Sequence, residues 1–326
     1  MKKQIIAAAV AASVSAVAMA DISITGDAKY EYLYTDNSDG TTANQANTEM
    51  HINIAGKKGD TSVVLKTEID SHGASGSTLD IEDNYLTTKV GDITVKAGNY
   101  ASGTSGLLGE IDEGGRATNK VTLSTNVGGV KVYAGNTGRE TGDGMTALQE
   151  DMFAGVVFSA AGNTIELKKN SSTVDSIGIK GSMAGLNYRV EQKNNDTANS
   201  DVTFAEVGTT VGGMSISYAM IDADQGDLVG ETDSSIFAKE MGNLSGSTED
   251  GTQQVTVSTS VDGNKVTVKA GSIDNAFGAG QDQDWTQVIV SRPLASGATA
   301  TLTYTDADTS SSADATTFEV DLSVSF

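Results

Sequence analysis

The run from Thr317 to Phe326 alternates without a break. Phe318, Val320, Leu322, Val324 and Phe326 are apolar, while Thr317, Glu319, Asp321, Ser323 and Ser325 are polar. Side chains of a β-strand point to opposite faces with a period of two, so this run reads as a strand with one apolar and one wet face. It is about as long as a tilted strand needs to cross a bilayer. A transmembrane barrel uses such strands, with the outer face against lipid and the inner face against water.

The same alternation recurs from Asp21 onward. Ile22, Ile24, Gly26, Ala28, Tyr30, Tyr32 and Tyr34 share one face of a first strand, opposite Ser23, Thr25, Asp27, Lys29 and Glu31. Met50, Ile52 and Ile54 alternate with His51 and Asn53, and a Lys58-Gly59-Asp60 turn leads into Val63, Leu65 and Ile69 opposite Lys66, Glu68 and Asp70. Tight turns follow at Gly91-Asp92, Gly128-Gly129, Ala161-Gly162-Asn163, Ala184-Gly185, Gly212-Gly213, Asp262-Gly263-Asn264 and Ala295-Ser296-Gly297. Gly and Asn supply the positive φ that two-residue hairpins need. Longer polar connections are expected near 35–48, 70–78, 99–118, 135–150, 169–175, 193–201, 221–251, 272–284 and 305–316. Short turns at one end and long loops at the other predict an all-β transmembrane antiparallel barrel of 16–18 strands, with periplasmic turns and external loops. The segments themselves number about 18. No linker interrupts 21–326, so one barrel domain is expected there. A soluble β-sandwich pair or a β-solenoid would share the alternation but not the asymmetry of turns and loops.

Residues 1–20 differ from the rest. Lys2 and Lys3 precede an uncharged Ala- and Val-rich stretch that ends in Ala18-Met19-Ala20, the form of a cleaved secretory signal peptide. No comparable apolar run follows, which excludes a helical membrane protein. The formal net charge is −22, with 43 acidic against 21 basic residues. Such a chain repels nucleic acid and attracts cations. It has no cysteine and a single proline, Pro293, as suits a mostly stranded chain. Aromatics are 5%, fewer than the girdles of barrels would suggest, and they fall mostly on the outward parity.

Three stretches resemble Gram-negative general porins. Asn84-Tyr85-Leu86 through Gly91-Asp92-Ile93-Thr94-Val95-Lys96-Ala97-Gly98-Asn99 is similar to the hairpin before that family's constriction loop. Asn119-Lys120-Val121-Thr122-Leu123-Ser124-Thr125 with Val127-Gly128-Gly129-Val130-Lys131-Val132 is similar to the hairpin after it, and Ser291-Arg292-Pro293-Leu294 with Thr299 to Tyr304 to the penultimate hairpin. The resemblance implies a homotrimer, usually of 16-stranded barrels. It also implies an outer-membrane location among lipid and lipopolysaccharide, and a terminal Phe strand read by the barrel-assembly machinery. That strand would close the barrel against Asp21–Tyr34. The strand count departs from the family's usual number, and Asn99 stands where many relatives have arginine.

By the same resemblance, the segment Tyr100 to Thr118 folds into the lumen. It carries Glu110, Asp112, Glu113 and Arg116, and a ring of carboxylates there would favour cations. An acidic surface loop would have the same composition. Parity supplies a facing wall. Lys29, Lys66, Lys96, Lys131, Lys180 and Arg189 each lie beside outward apolar residues and so point inward. A lysine facing lipid near the midplane would cost roughly 2–4 kcal/mol. Acidic loop and basic wall together would set a transverse field across the pore.

No catalytic constellation, phosphate loop or cofactor motif appears, so neither enzymatic activity nor a cofactor is expected. His51 and His72 lack cysteine partners, and no metal site is assigned. The acids of the expected external loops, Asp36/Asp39, Asp222/Asp224/Asp227, Asp282/Asp284 and Asp306/Asp308, lack the fixed Gly and terminal Glu of a calcium loop. The reading that gathers these points is a cation-preferring channel for passive diffusion of small hydrophilic solutes. The alternatives are a barrel that only anchors a surface or adhesion function, and a substrate-specific channel.

Overall fold

In the computed structural model, the described residues are 21–326 without 73–75, 101–106, 109–116, 137–138, 141–151, 171–173, 196–199, 224–250, 274–281 and 310–313. The expected signal peptide at 1–20 therefore lies outside them, as does most of the predicted constriction segment.

The described chain is a succession of hairpins. It opens with β1 (Asp21–Asn37), β2 (Thr42–Lys58), β3 (Thr61–His72), β4 (Gly76–Val90), β5 (Ile93–Tyr100), β6 (Ala117–Val127) and β7 (Val130–Asn136). A stub, β8 (Arg139–Glu140), pairs only with the start of β6. Then come β9 (Met152–Ala160), β10 (Asn163–Asn170), β11 (Val174–Met183), β12 (Leu186–Asn195), β13 (Ser200–Val211) and β14 (Met214–Ala223). The series ends with β15 (Thr252–Val261), β16 (Asn264–Ile273), β17 (Gln283–Pro293), β18 (Thr299–Thr309) and β19 (Ala315–Ser325). The turns at 59–60, 91–92, 128–129, 161–162, 184–185, 212–213 and 262–263 are all two residues between strands, as the sequence predicts. At Ala161-Gly162 both φ values are positive, 50° and 81°. That is the geometry of a hairpin turn whose twist matches its strands.

Every strand except the stub has two antiparallel neighbours, because β7 pairs with β9 and β19 returns to β1. The result is a closed barrel of 18 strands. This departs from the usual 16 of the family the sequence resembles and agrees with the strand count read from the sequence. The seam runs from Asp27↔Ser325 to Asn37↔Ala315. Gly26 and Phe326 extend it by exchanging both backbone hydrogen bonds at 2.9 Å. Closure leaves no sheet edge.

Burial follows the alternation. Ile22, Ile24, Tyr30, Leu123, Val190, Val255, Leu302, Tyr304, Phe318, Leu322 and Val324 are exposed on the outer face. The fully buried side chains, among them Tyr100, Lys120, Glu166, Glu191 and Phe204, face the interior. An exposed apolar exterior around a polar interior inverts a soluble protein and fits a hydrocarbon surround. The adjacent pair Thr301 and Leu302 tests this. Leu302 is 44% exposed on the outside, whereas Thr301 pairs with Asp321 on the lumen face. Leu302→Lys is expected to lower stability in lipid by roughly 2–4 kcal/mol, and Thr301→Lys by much less. Urea unfolding from vesicles reads the difference.

Two expected loops are shorter than their composition suggests. The polar stretch 35–48 is mostly strand, and only Ser38 to Thr41 connects β1 to β2. Its Asn, Gln and Thr side chains bond across and along the ladder, as in Asn47 to Glu31 at 3.4 Å and Asn37 to Thr41 at 2.9 Å. Polar residues on both faces therefore extend the hairpin rather than end it. At the tip, the Thr41 hydroxyl and backbone N–H both donate to Asp39, which holds its carboxyl below the usual range. Likewise β3 runs to His72 and β4 begins at Gly76 inside the expected 70–78 loop, so His72 ends a strand.

Candidate functional site

Two described residues between β5 and β6, Leu107 and Leu108, meet the inner face of the barrel wall. Tyr100, at the end of β5, is buried, and its hydroxyl lies 2.8 Å from the Thr122 hydroxyl on β6. The chain is next described at Leu107 and Leu108, which lie against a distant part of the wall. A Cβ on Gly178 of β11 would meet Leu107 Cγ at 2.8 Å and Leu108 Cδ2 at 2.9 Å. The Arg189 guanidinium on β12 donates to the Leu107 carbonyl at 3.4 Å. Leu108 joins Val202, Phe204, Ala219 and Ile221 in one buried cluster. These four wall residues share the inward face of β13 and β14 and form an apolar landing site. The expected acids and base of this connection, Glu110, Asp112, Glu113 and Arg116, lie outside the described residues.

The wall carries its own acids, gathered on β19 and β1 to β4. Glu31, Glu319 and Asp321 converge across the seam, and Lys29 sits among them at 2.5, 3.7 and 3.7 Å. Beside them Asp27, Glu49 and Glu68 surround His51. Lys66 pairs with Asp83 at 3.1 Å, one residue past a register shift that leaves Glu82 as the extra residue of β4. Lys29 and Lys66, predicted to line a basic wall, point inward but belong to this acidic arc as its counter-ions.

The basic side runs from β5 to β12. Lys96 lies 4.0 Å from the Tyr85 ring centre and 3.9 Å from that of Tyr100. Lys120 sits 5.0 Å from Tyr100 and 5.8 Å from Phe153, and Lys168 5.3 Å from Phe153. Lys131 faces Tyr133, and Arg189 faces Phe204. Lys180 pairs in register with Arg189 and Thr164 on the same inward face. Cations over ring faces are stabilised by about 0.5–2 kcal/mol, more where water is excluded. Two buried carboxylates serve this side. Glu166 accepts a hydrogen bond from Tyr133, and Glu191 pairs with Arg189. Burying such charges is tolerable only with partners of this kind.

One consequence corrects the sequence reading. Lys120 and Lys168 were missed, although parity from Val121, Leu123 and Leu167 would have placed them inward. Among the described residues most aromatics do lie on the outer face, yet Tyr85, Tyr100, Tyr133, Phe153, Phe204 and Trp285 line the lumen. Several lie over a glycine of the neighbouring strand, such as Tyr133 over Gly155 and Trp285 over Gly271. The interior is thus divided into an acidic arc and a basic, aromatic arc, with Leu107 and Leu108 held against β11 to β14.

Solved structures with this architecture exist. Pseudomonas aeruginosa OccK9 (OpdG) superposes with a TM-score of 0.69 at 12% identity, covering 94% of this chain and 98% of its own. OpdK from the same organism, solved with vanillate, gives 0.64 at 11%, covering 94% and 98%. OccK2 (OpdF), in complex with glucuronate, gives 0.67 at 12%, again covering 94% and 98%. The fold is that of an outer-membrane porin. No protein-family model and no curated protein sequence matches the chain.

Proposed function

We propose that the chain forms a water-filled channel in a Gram-negative outer membrane and passes small hydrophilic solutes and ions by diffusion, with a preference for cations. The observation that carries this reading is the closed barrel with an apolar exterior and a charge-divided lumen. Walls of opposite sign set a field across the pore. A polar solute can align with that field, whereas an apolar one must displace ordered water to pass. Cation preference is supported by the acidic arc and by the net charge of −22. We further propose export by the 1–20 signal peptide, barrel closure by the outer-membrane assembly machinery, and a homotrimer seated among lipopolysaccharide.

Purified protein in a planar bilayer tests the proposal. Stepwise conductance is expected, and in a salt gradient a reversal potential of the sign for cation permeation. A barrel that never conducts would leave the anchor for a surface function as the better reading. A reversal potential of the opposite sign would remove the cation preference alone.

A second reading has its own support. Lys96, Lys120, Lys168 and Arg189, interleaved with aromatic faces, suit a solute that joins a carboxylate to a flat or ring-shaped body. OpdK and OccK2 were solved with such molecules. A substrate-specific channel would show current interruptions when vanillate or glucuronate is added, at concentrations where chloride has no effect.

A further inference from the structure

Among the described residues, two groups bring three metal-ligating side chains together. One is Glu31, Glu319 and Asp321, whose cation is already supplied by Lys29. The other is Glu49, His51 and Glu68, whose ligand atoms all lie within 4.8 Å of one another. Glu49 and His51 are two apart on β2 and so share the lumen face, and Glu68 is the register partner of His51 on β3. Their side chains are part-exposed, so an ion can reach them from the channel.

The imidazole makes this more than an acidic cluster. His51 Nδ1 lies 3.2 Å from the Asp27 carboxylate on β1, the register partner of His51 on its other side. A carboxylate accepting from Nδ1–H fixes the tautomer and turns the other nitrogen toward a metal. Here Nε2 is turned toward Glu49, 3.0 Å from its carboxylate oxygen. The geometry points to a site for one divalent transition-metal ion, ligated by His51 Nε2, Glu49 and Glu68, with Asp27 as the positioning residue. One imidazole and two carboxylates suit Zn²⁺, Mn²⁺ or Co²⁺ better than Mg²⁺ or Ca²⁺, which favour all-oxygen shells. On binding, any proton on Nε2 leaves to solvent, while Nδ1 keeps its proton and donates it to the Asp27 carboxylate in a hydrogen bond. Two strands of a closed barrel hold the donors and a third holds Asp27, so little ordering is needed. An ion held there would stand in the solute path if the channel reading is right, but the site itself needs no open channel.

Zinc binding to the detergent-solubilised full chain tests this, apart from any conductance. Calorimetry is expected to show one saturable Zn²⁺ site per chain, not displaced by an excess of Mg²⁺. His51→Ala and Glu68→Gln should each weaken it at least ~10-fold, and Asp27→Asn by roughly 10–100-fold. The chain has only 2 histidines, so Cu²⁺ paramagnetic resonance gives a readout that needs no disruptive variant. Coupling to one imidazole nitrogen is expected, and it should persist in His72→Ala. Absence of saturable zinc binding, zinc affinity unchanged in His51→Ala, or nitrogen coupling lost in His72→Ala would each overturn the proposal.

Discussion

The double variant Leu107→Asp/Leu108→Asp is expected to form a folded barrel with a single-channel conductance severalfold higher than the parent. Both leucines are buried, at 2% and 4% exposure, and they are the described points at which the β5–β6 connection meets the opposite wall. Full burial of each contributes about 1.5–3 kcal/mol. Putting an unpaired carboxylate in place of each would add a desolvation cost to that loss. The Leu107 carbonyl also accepts a 3.4 Å hydrogen bond from Arg189. A shift of ~4 kcal/mol changes a docked-to-released ratio by about a thousandfold. Gly178→Leu should act in the same direction from the wall side, because its side chain must occupy the space of Leu107. Conductance unchanged in both variants, with the barrel folded, would mean that this contact does not set the narrowest point of the pore.

Gly26→Val is expected to reduce the yield of folded barrel sharply. A Cβ at this position would lie 2.2 Å from the His51 carbonyl oxygen and 2.9 Å from Phe326 Cζ. The first contact is with backbone and cannot be relieved by a rotamer change. Overpacking of this kind costs about 1–3 kcal/mol, and here it falls on the residue that exchanges both hydrogen bonds with Phe326. The readout is the fraction migrating as the compact form on unheated gels after refolding into detergent. Adding Phe326→Ala should not restore that fraction, since the clash with His51 remains. A rescue would show that the ring, not the backbone, is the limiting contact.

Much of the barrel is legible in the sequence because its physics is local. Period-two alternation faces Ile24 outward and Lys29 inward, and the turn residues mark seven tight hairpins without any knowledge of register. What the alternation cannot convey is who stands across the ladder. Lys29 finds Glu319 and Asp321 only because the last strand returns to the first. Lys66 meets Asp83 only because a shifted register places it there. The inward aromatics were hidden for a related reason. Tyr133 and Trp285 pack over glycines on neighbouring strands, so their own strands show no apolar stripe on that face. The landing of Leu107 and Leu108 is further still from sequence, since it joins a loop after β5 to four residues of β13 and β14. The family resemblance implies acids of the transverse field on a loop at 100–118, and those acids lie outside the described residues. The described acids stand on the wall.

The length of β1 and β2 has a consequence for the mouth of the barrel. Each has 17 residues, where about 9–11 suffice to cross the hydrocarbon. Part of the surplus, Thr42 to Ala46 of β2, extends past the last pair with β3, Asn47↔His72, and allowing for tilt lifts this sector of the rim above β3 by roughly 10 Å. Its tip is fastened sideways, with the Ser38 N–H donating to the Asp314 carbonyl at 2.8 Å. The rim therefore carries a stiff parapet on one side. A bulky visitor such as an antibody would meet that parapet before it met the opening beside it.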